Sequence, residues 1–426
     1  MRTFPSFSMA IILPIVCVAG MAQRPTMVKN EELQAKASAI HKRVISIDSH
    51  VDVSPQLATP EVDPGSANSP AKCDLTKMEK GGLKGVFMAV YVGQRPELNA
   101  QGYKYAYDAA MAKFEAIHRL TEKVYPNRCA LATTPEEVRR IAATGKRVIM
   151  IGIENGYPIG EDLSLIKKYY DLGARYITLS HSGHNQICDS SSVKQPLHNG
   201  LSEFGKKTVA EMNRLGIMID VSHIAEKSFW DVIAVSKAPI IASHSACAAL
   251  TPHDRNLTDD QLRALAKNGG VIQMVALGSY LKTDSPERRQ ALEELRKQMG
   301  FGRISRDAMQ KMSEQERAEY QARRSSFQEQ MKTIDAKYPS ATLKDFVDHI
   351  DHAVKVAGLD HIGIGTDFDG GGGIPGFNDD TDAPNVTLEL VRRGYTEKQI
   401  KKIWGENLLR VWKDVERVAS RSKSKS

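Results

Sequence analysis

The stretch VISIDSHVDV, residues 44–53, runs Val- and Ile-rich sequence straight into a polar cluster in which Asp48, His50 and Asp52 alternate. Residues two apart along an extended strand point to the same side. Three polar or ionisable groups on one face of an otherwise apolar strand carry a large desolvation cost unless something pairs them. The strand therefore needs a fold in which its end opens onto partners or a ligand.

Working outward, the same kind of short apolar run recurs along the chain. GVFMAVYV (85–92), RVIMIGIEN (147–155), ARYITLSHS (174–182), GIMIDVSH (216–223), APIIASHS (238–245), GVIQMVAL (270–277) and DHIGIGTDFDG (360–370) complete a set of eight. Near-continuous Val/Ile runs mark strands buried on both faces. TTPEEVRRIAATG, SEFGKKTVAEMNRLG and TDDQLRALAKNGG lie between them, each with a polar start, amphipathic spacing and a closing glycine, as helices have. Eight strands alternating with helices, and a last helix near TEKQIKKIWGENLLRVW, predict an α/β fold, a (β/α)8 TIM barrel. An open doubly wound sheet is the competing architecture, but no GxGxxG follows the first strand. Residues 93–146 are expected to hold two helices. Residues 278–359 are expected to form a long, highly charged helical insertion between strands 7 and 8, its charges on a solvated surface.

The ends read differently from the body. Residues 1–22 have a positive start, a short apolar run, and Gly20 and Ala22 suitably placed for cleavage, the layout of a signal peptide. Export to the periplasm or the extracellular space is expected, leaving no membrane span. The barrel is assigned to 23–412, and 413–426, ending in SRSKSKS, to a basic, disordered tail. Arg2, Arg421, Lys423 and Lys425 account for four of the seven excess positive charges, so the body carries no nucleic-acid footprint. Removal of the signal leaves Cys73, Cys129, Cys188 and Cys247, an even count that permits disulfides without fixing a pairing.

Barrels of this kind do their chemistry at the C-terminal ends of the strands. Those ends carry His50 and Asp52, Glu154, His181, His223, His244, and Asp367 or Asp369. A single such residue is more often structural, and an Asp or Glu there often caps the next helix. Six of eight strands ending this way is another matter, because a dense buried cluster needs a compensating cation. Histidines and carboxylates without cysteine suit zinc or a neighbouring divalent ion. There are enough groups for two ions, with Glu154 bridging, His50 and Asp52 on one, and His223 and His244 on the other. Two such ions point to hydrolysis. Asp48 and Asp220 are read as partners orienting a histidine or as plain barrel packing.

The ordered set DSHVD, GIENG, the LSHS of TLSHSGHNQICDSS, DVSH, SHS, the HDRN of PHDRN, GTDFDG and GENLLRV resembles the renal (membrane) dipeptidase family from about residue 44 to 411. The resemblance implies a binuclear zinc dipeptidase, with His50, Asp52, Glu154, His223 and His244 as ligands. It further implies that His181 stabilises the oxyanion, that Arg255 binds the C-terminal carboxylate of a dipeptide, and that Asp367 rather than Asp369 moves the proton. A homodimer is a further expectation, since relatives are often dimers. His184 and Asp189, in the loop after His181, are within reach of a substrate or are simply loop residues. His253 is of interest for its closeness to Arg255. The competing functions are another metal-dependent amidohydrolase on the same barrel, disfavoured by H-x-D rather than H-x-H on strand 1, and an exported binding protein without chemistry.

Overall fold

The computed structural model of the chain describes residues 25–300 and 312–423, so the expected signal peptide at 1–22 lies outside the described residues. Nine parallel strands form one sheet: β1 (Ile47–Asp52), β2 (Gly85–Tyr91), β3 (Cys129–Leu131), β4 (Arg147–Glu154), β5 (Ala174–Thr178), β6 (Met218–Asp220), β7 (Ile240–Ser245), β8 (Val271–Met274) and β9 (Ile362–Ile364). The order β1-β2-β4-β5-β6-β7-β8-β9 follows the eight expected strands in sequence. Just beyond β9, Phe368 bridges to Val51 and its carbonyl accepts the Asp52 amide at 2.9 Å, so the ends of the sheet meet and the barrel nearly closes. The extra strand, β3, pairs with Arg147–Ile149 on the edge of β4 that β5 takes over from Ile151. Three residues are too few for a period to register in sequence.

The helices form where their termini are chemically specified. Thr134 caps Pro135–Ala143 by accepting from the Glu137 amide, and proline sits in the first turn. Thr258 and Gln261 cap each other at the start of Asp259–Lys267. Ser202 starts Glu203–Leu215, and Gly216 ends it at φ 89°. Residues 93–146 hold the two expected helices, Ala100–His118 and Pro135–Ala143, together with β3.

The insertion is narrower than expected. Its last helix, Leu343–Ala357, buries Phe346, Val347, Ile350 and Ala353 against the barrel and so belongs to the barrel wall. Among the described residues, what remains is a short helix, Gly278–Leu281, followed by Pro286–Met299 and Glu314–Lys337. The buried Arg288 clasps this excursion, pairing with Asp284 at 2.8 Å and Asp335 at 2.7 Å and donating to the Tyr338 carbonyl at 2.7 Å.

The C-terminal boundary also needs correction. Residues 413–423 continue the helix Asn407–Lys423 instead of forming a solvated tail. Val411, Trp412, Val415 and Ala419 are buried at helical spacing, and the Trp412 ring lies 5.7 Å from that of Phe87. The charged composition of the last residues hid this apolar stripe. Deleting residues 413–426 should therefore lower unfolding free energy by about 3 kcal/mol through the lost Val415 and Ala419 packing. Chemical denaturation checks this; an unchanged midpoint would restore the solvated tail.

Inside the barrel, Ile47, Phe87, Met150, Tyr176, Met218, Ile241 and Val271 form one buried apolar cluster. Period two then sets the residues above them: Glu154 shares a face of β4 with Met150, Asp220 a face of β6 with Met218, and Ser243 a face of β7 with Ile241. An apolar plug thus supports a polar layer at the mouth. No helix among the described residues is long and apolar enough to cross a membrane.

Candidate active site

Glu154, at the tip of β4, is the hub of the mouth. Its Oε2 lies 3.4 Å from His50 Nε2, and its Oε1 lies 3.0 Å from His223, 3.5 Å from His244 and 3.6 Å from His181 at their Nε2 atoms. His223 and His244 approach each other Nε2 to Nε2 at 2.8 Å. The site residues read from the sequence thus come together at one place. Glu154, His181, His223 and His244 line a cleft of about 630 Å³, as do Asp52, Arg255 and Asp367, whereas His50 is fully buried beside Glu154.

The donor set fits divalent metal. Two triads, His50–Glu154–His244 and Glu154–His181–His223, each place three ligand atoms within 4.8 Å of one another. The buried Nδ1 of His223 has no hydrogen-bond partner. Asp52 lines the same cleft but belongs to neither triad, whereas His181 falls in one, a grouping different from that expected. Cysteine takes no part: Cys73, Cys129, Cys188 and Cys247 are all buried free thiols, so none of the permitted disulfides forms.

Electrostatics sort these groups. Burial opposes charge on His50, but Glu154, Asp367 and Asp52 outweigh it and raise the imidazole pKa to about 9. Burial likewise works against the Glu154 carboxylate, yet His50 and His181 hold it well below the usual carboxylate range. His223 and His244 are pushed well below the ordinary histidine value by burial, with Arg255 and the neighbouring imidazoles adding to it. Neutral imidazoles with available lone pairs are what a metal requires. The Asp367 carboxyl is driven well above the usual range by burial, with Glu154 and Asp52 adding to it.

Backbone strain concentrates here. Asn155 (φ 81°), His223 (φ 70°) and Asp367 (φ 59°) adopt left-handed conformations that non-glycine residues seldom take. At Asp367 this turn lets its carbonyl accept the amides of Gly370, Gly371 and Gly372. A β-carbon on Gly370 would lie 2.2 Å from Asp367 Oδ1, so glycine there leaves room for the carboxylate. The choice between the two aspartates has a structural counterpart. Asp369 accepts the amides of Lys72 and Cys73 at 2.8 and 3.1 Å and pins a loop, whereas Asp367 faces the cleft.

Residues around the Glu154–histidine cluster hold the rest of the site. Arg255 is buried and donates to the His244 carbonyl at 3.2 Å, its guanidinium 5.6 Å from the Tyr280 ring. His253 accepts the Arg255 amide at 3.1 Å and packs on Tyr280, with centroids 4.3 Å apart. His181 lies against Tyr91, and its Nδ1 is 3.1 Å from Ser182 Oγ. Asp48 binds the His50 amide and Thr366 rather than an imidazole, and Asp220 reaches His244 Nδ1 only through Ser243 Oγ. His184 and Asp189 bind loop backbone, Asp189 through the amides of Leu197, His198 and Gly200. The sequence reading missed Tyr91, Tyr176, Ser243 and Tyr280, because an aromatic or serine in an apolar run reads as core.

Comparison with known proteins agrees with this geometry. The family model for membrane dipeptidase (peptidase family M19) matches residues 34–426. Dipeptidase VerJ of Clonostachys rogersoniana is 33% identical over 361 residues, covering 83% of this chain and 78% of its own. Dipeptidase TcpJ of Claviceps purpurea is 31% identical over 355 residues, covering 82% and 71%. Among solved structures, the probable dipeptidase PvdM of Pseudomonas aeruginosa superposes with a TM-score of 0.77 at 33% identity, covering 91% of this chain and 100% of that one. A metallopeptidase of Rhodobacter sphaeroides, solved with a phosphinate mimic of the dipeptide L-Ala-D-Ala, gives 0.67 at 26% identity, covering 87% and 99%. With its barrel, its histidine-ringed glutamate and these relatives, the chain belongs to the membrane dipeptidase family M19, metallopeptidases that hydrolyse dipeptides.

Proposed function

We propose that this chain is a zinc-dependent dipeptidase using two ions, cleaving free dipeptides of the L–L and L–D series. The observation that carries the reading is Glu154, one buried carboxylate addressed by His50 on one oxygen and by His223, His244 and His181 on the other. Histidine and carboxylate donors without thiolate favour zinc. His50, Asp52 and Glu154 would hold one ion, and Glu154, His223 and His244 the other. Bound there, the ions supply Lewis acidity toward the scissile carbonyl and lower the pKa of the attacking water.

The chain's own residues do the rest. Asp367 takes the proton that the water loses on attack and delivers it to the leaving nitrogen. His181, through Nε2–H, donates to the carbonyl oxygen as negative charge grows on it. Arg255 offers a planar fork to the substrate's terminal carboxylate. A longer peptide puts a neutral amide where that carboxylate belongs, so the site selects dipeptides. The relative solved with an L-Ala-D-Ala mimic supports extending the reading to L–D substrates. The sequence of residues 1–22 supports export, with the mature chain working in the periplasm or outside the cell.

Metal analysis of the purified chain tests the two-ion reading: two zinc equivalents support it, and none or one contradicts it. Arg255→Ala should raise KM about 10- to 100-fold, the worth of a charge-assisted hydrogen-bond pair. Unchanged steady-state kinetics would remove Arg255 from the substrate site.

A further inference from the structure

Below the Glu154–histidine cluster, one contact ties the barrel plug to a histidine of the mouth. Tyr176, on β5, is fully buried and belongs to the apolar cluster that fills the barrel. Its ring lies 5.2 Å from that of Phe87, centroid to centroid. Its hydroxyl alone leaves this apolar setting, reaching His50 Nδ1 at 2.8 Å.

The neighbouring strand makes room for this arrangement. Gly152 pairs with Tyr176 across β4 and β5, at an irregularity in the register. A β-carbon on Gly152 would sit 2.0 Å from Tyr176 Cζ and within 2.4 Å of both Cε atoms. No side chain fits there without displacing the ring. Glycine at 152, two residues before Glu154 on the same face of β4, therefore lets the phenol lie flat across the barrel beneath the glutamate.

We infer that Tyr176 is the positioning residue for His50: its oxygen accepts the Nδ1 proton, which fixes the tautomer and ring plane and leaves Nε2 to the metal. The inference rests on His50 being a ligand, as proposed above. Nε2 already faces the cluster, 3.4 Å from Glu154 Oε2, so the ring's two nitrogens have separate tasks. A ligating histidine commonly donates its other N–H to an oxygen partner, and loss of such a partner costs about 10- to 100-fold in metal affinity. His244 has its own fixed partner in Ser243 Oγ at 2.9 Å, so the effect of Tyr176 should fall on one ion and spare the other.

The test is Tyr176→Phe in the full chain, which keeps the ring and removes only the oxygen. Zinc affinity is measured by competition with a chromogenic chelator, alongside the melting temperature of metal-free protein and the ¹⁵N–¹H signal of the His50 Nδ1 proton in the zinc-loaded form. The expected result is one zinc equivalent weakened about 10- to 100-fold, the other unchanged, a metal-free melting temperature like wild type, and loss of the slowly exchanging Nδ1 proton. Unchanged affinity for both equivalents overturns the inference. So does equal weakening of both with a lowered metal-free melting temperature, which would make Tyr176 packing alone. If wild type itself takes up no zinc, the ligand assignment fails instead, so the two failures are distinguishable.

Discussion

Glu154→Gln should all but abolish dipeptide hydrolysis and strip the protein of metal. The carboxylate is the one group whose oxygens face all four imidazoles, at 3.0 to 3.6 Å. Glutamine keeps the shape but removes the charge and turns one of the two oxygens into an NH2 donor. Breaking a buried charged cluster by deleting one partner costs about 3–5 kcal/mol. At about 1.4 kcal/mol per decade, metal affinity should fall roughly 10²- to 10⁴-fold, and activity with it. Zinc-replete Glu154→Gln protein with wild-type turnover would contradict the bridging role.

Asp367→Asn should leave metal content intact and lower kcat about 10²- to 10⁴-fold, the usual worth of a general acid–base group. Burial, with Glu154 and Asp52 adding to it, raises the pKa of this carboxyl, and an asparagine amide cannot take up and release a proton in its place. Asp369→Asn is the natural control. That residue pins the amides of Lys72 and Cys73, so its loss should loosen the loop while largely sparing kcat. Steady-state kinetics with metal analysis of both variants separates the two roles. A larger kcat loss at Asp369 would reverse the assignment.

What the sequence made legible follows from periodicity. All eight barrel strands were readable because each is an apolar run, six of them ending at a metal-capable or titratable residue, and strand ends converge in a barrel. The convergence of His50, Glu154, His181, His223 and His244 follows from topology alone. Details decided by a partner far away in the chain were not legible. Tyr176 in ARYITLSHS looks like any core aromatic until β1 brings His50 to its hydroxyl. Asp48 and Asp220 lay open between orienting a histidine and packing; the structure shows them holding backbone amides and hydroxyls around His50 and His244. The final helix was misjudged because its outward face is charged while Val415 and Ala419 turn inward.

The central claim is metal-dependent cleavage confined to free dipeptides. The most direct measurement incubates zinc-loaded protein with L–L and L–D dipeptides, tripeptides and N-acetylated dipeptides, follows amino-acid release, and repeats each assay with a chelator. The account predicts chelator-sensitive release from the free dipeptides alone. Cleavage only of N-acylated substrates, or release that survives removal of metal, would contradict it.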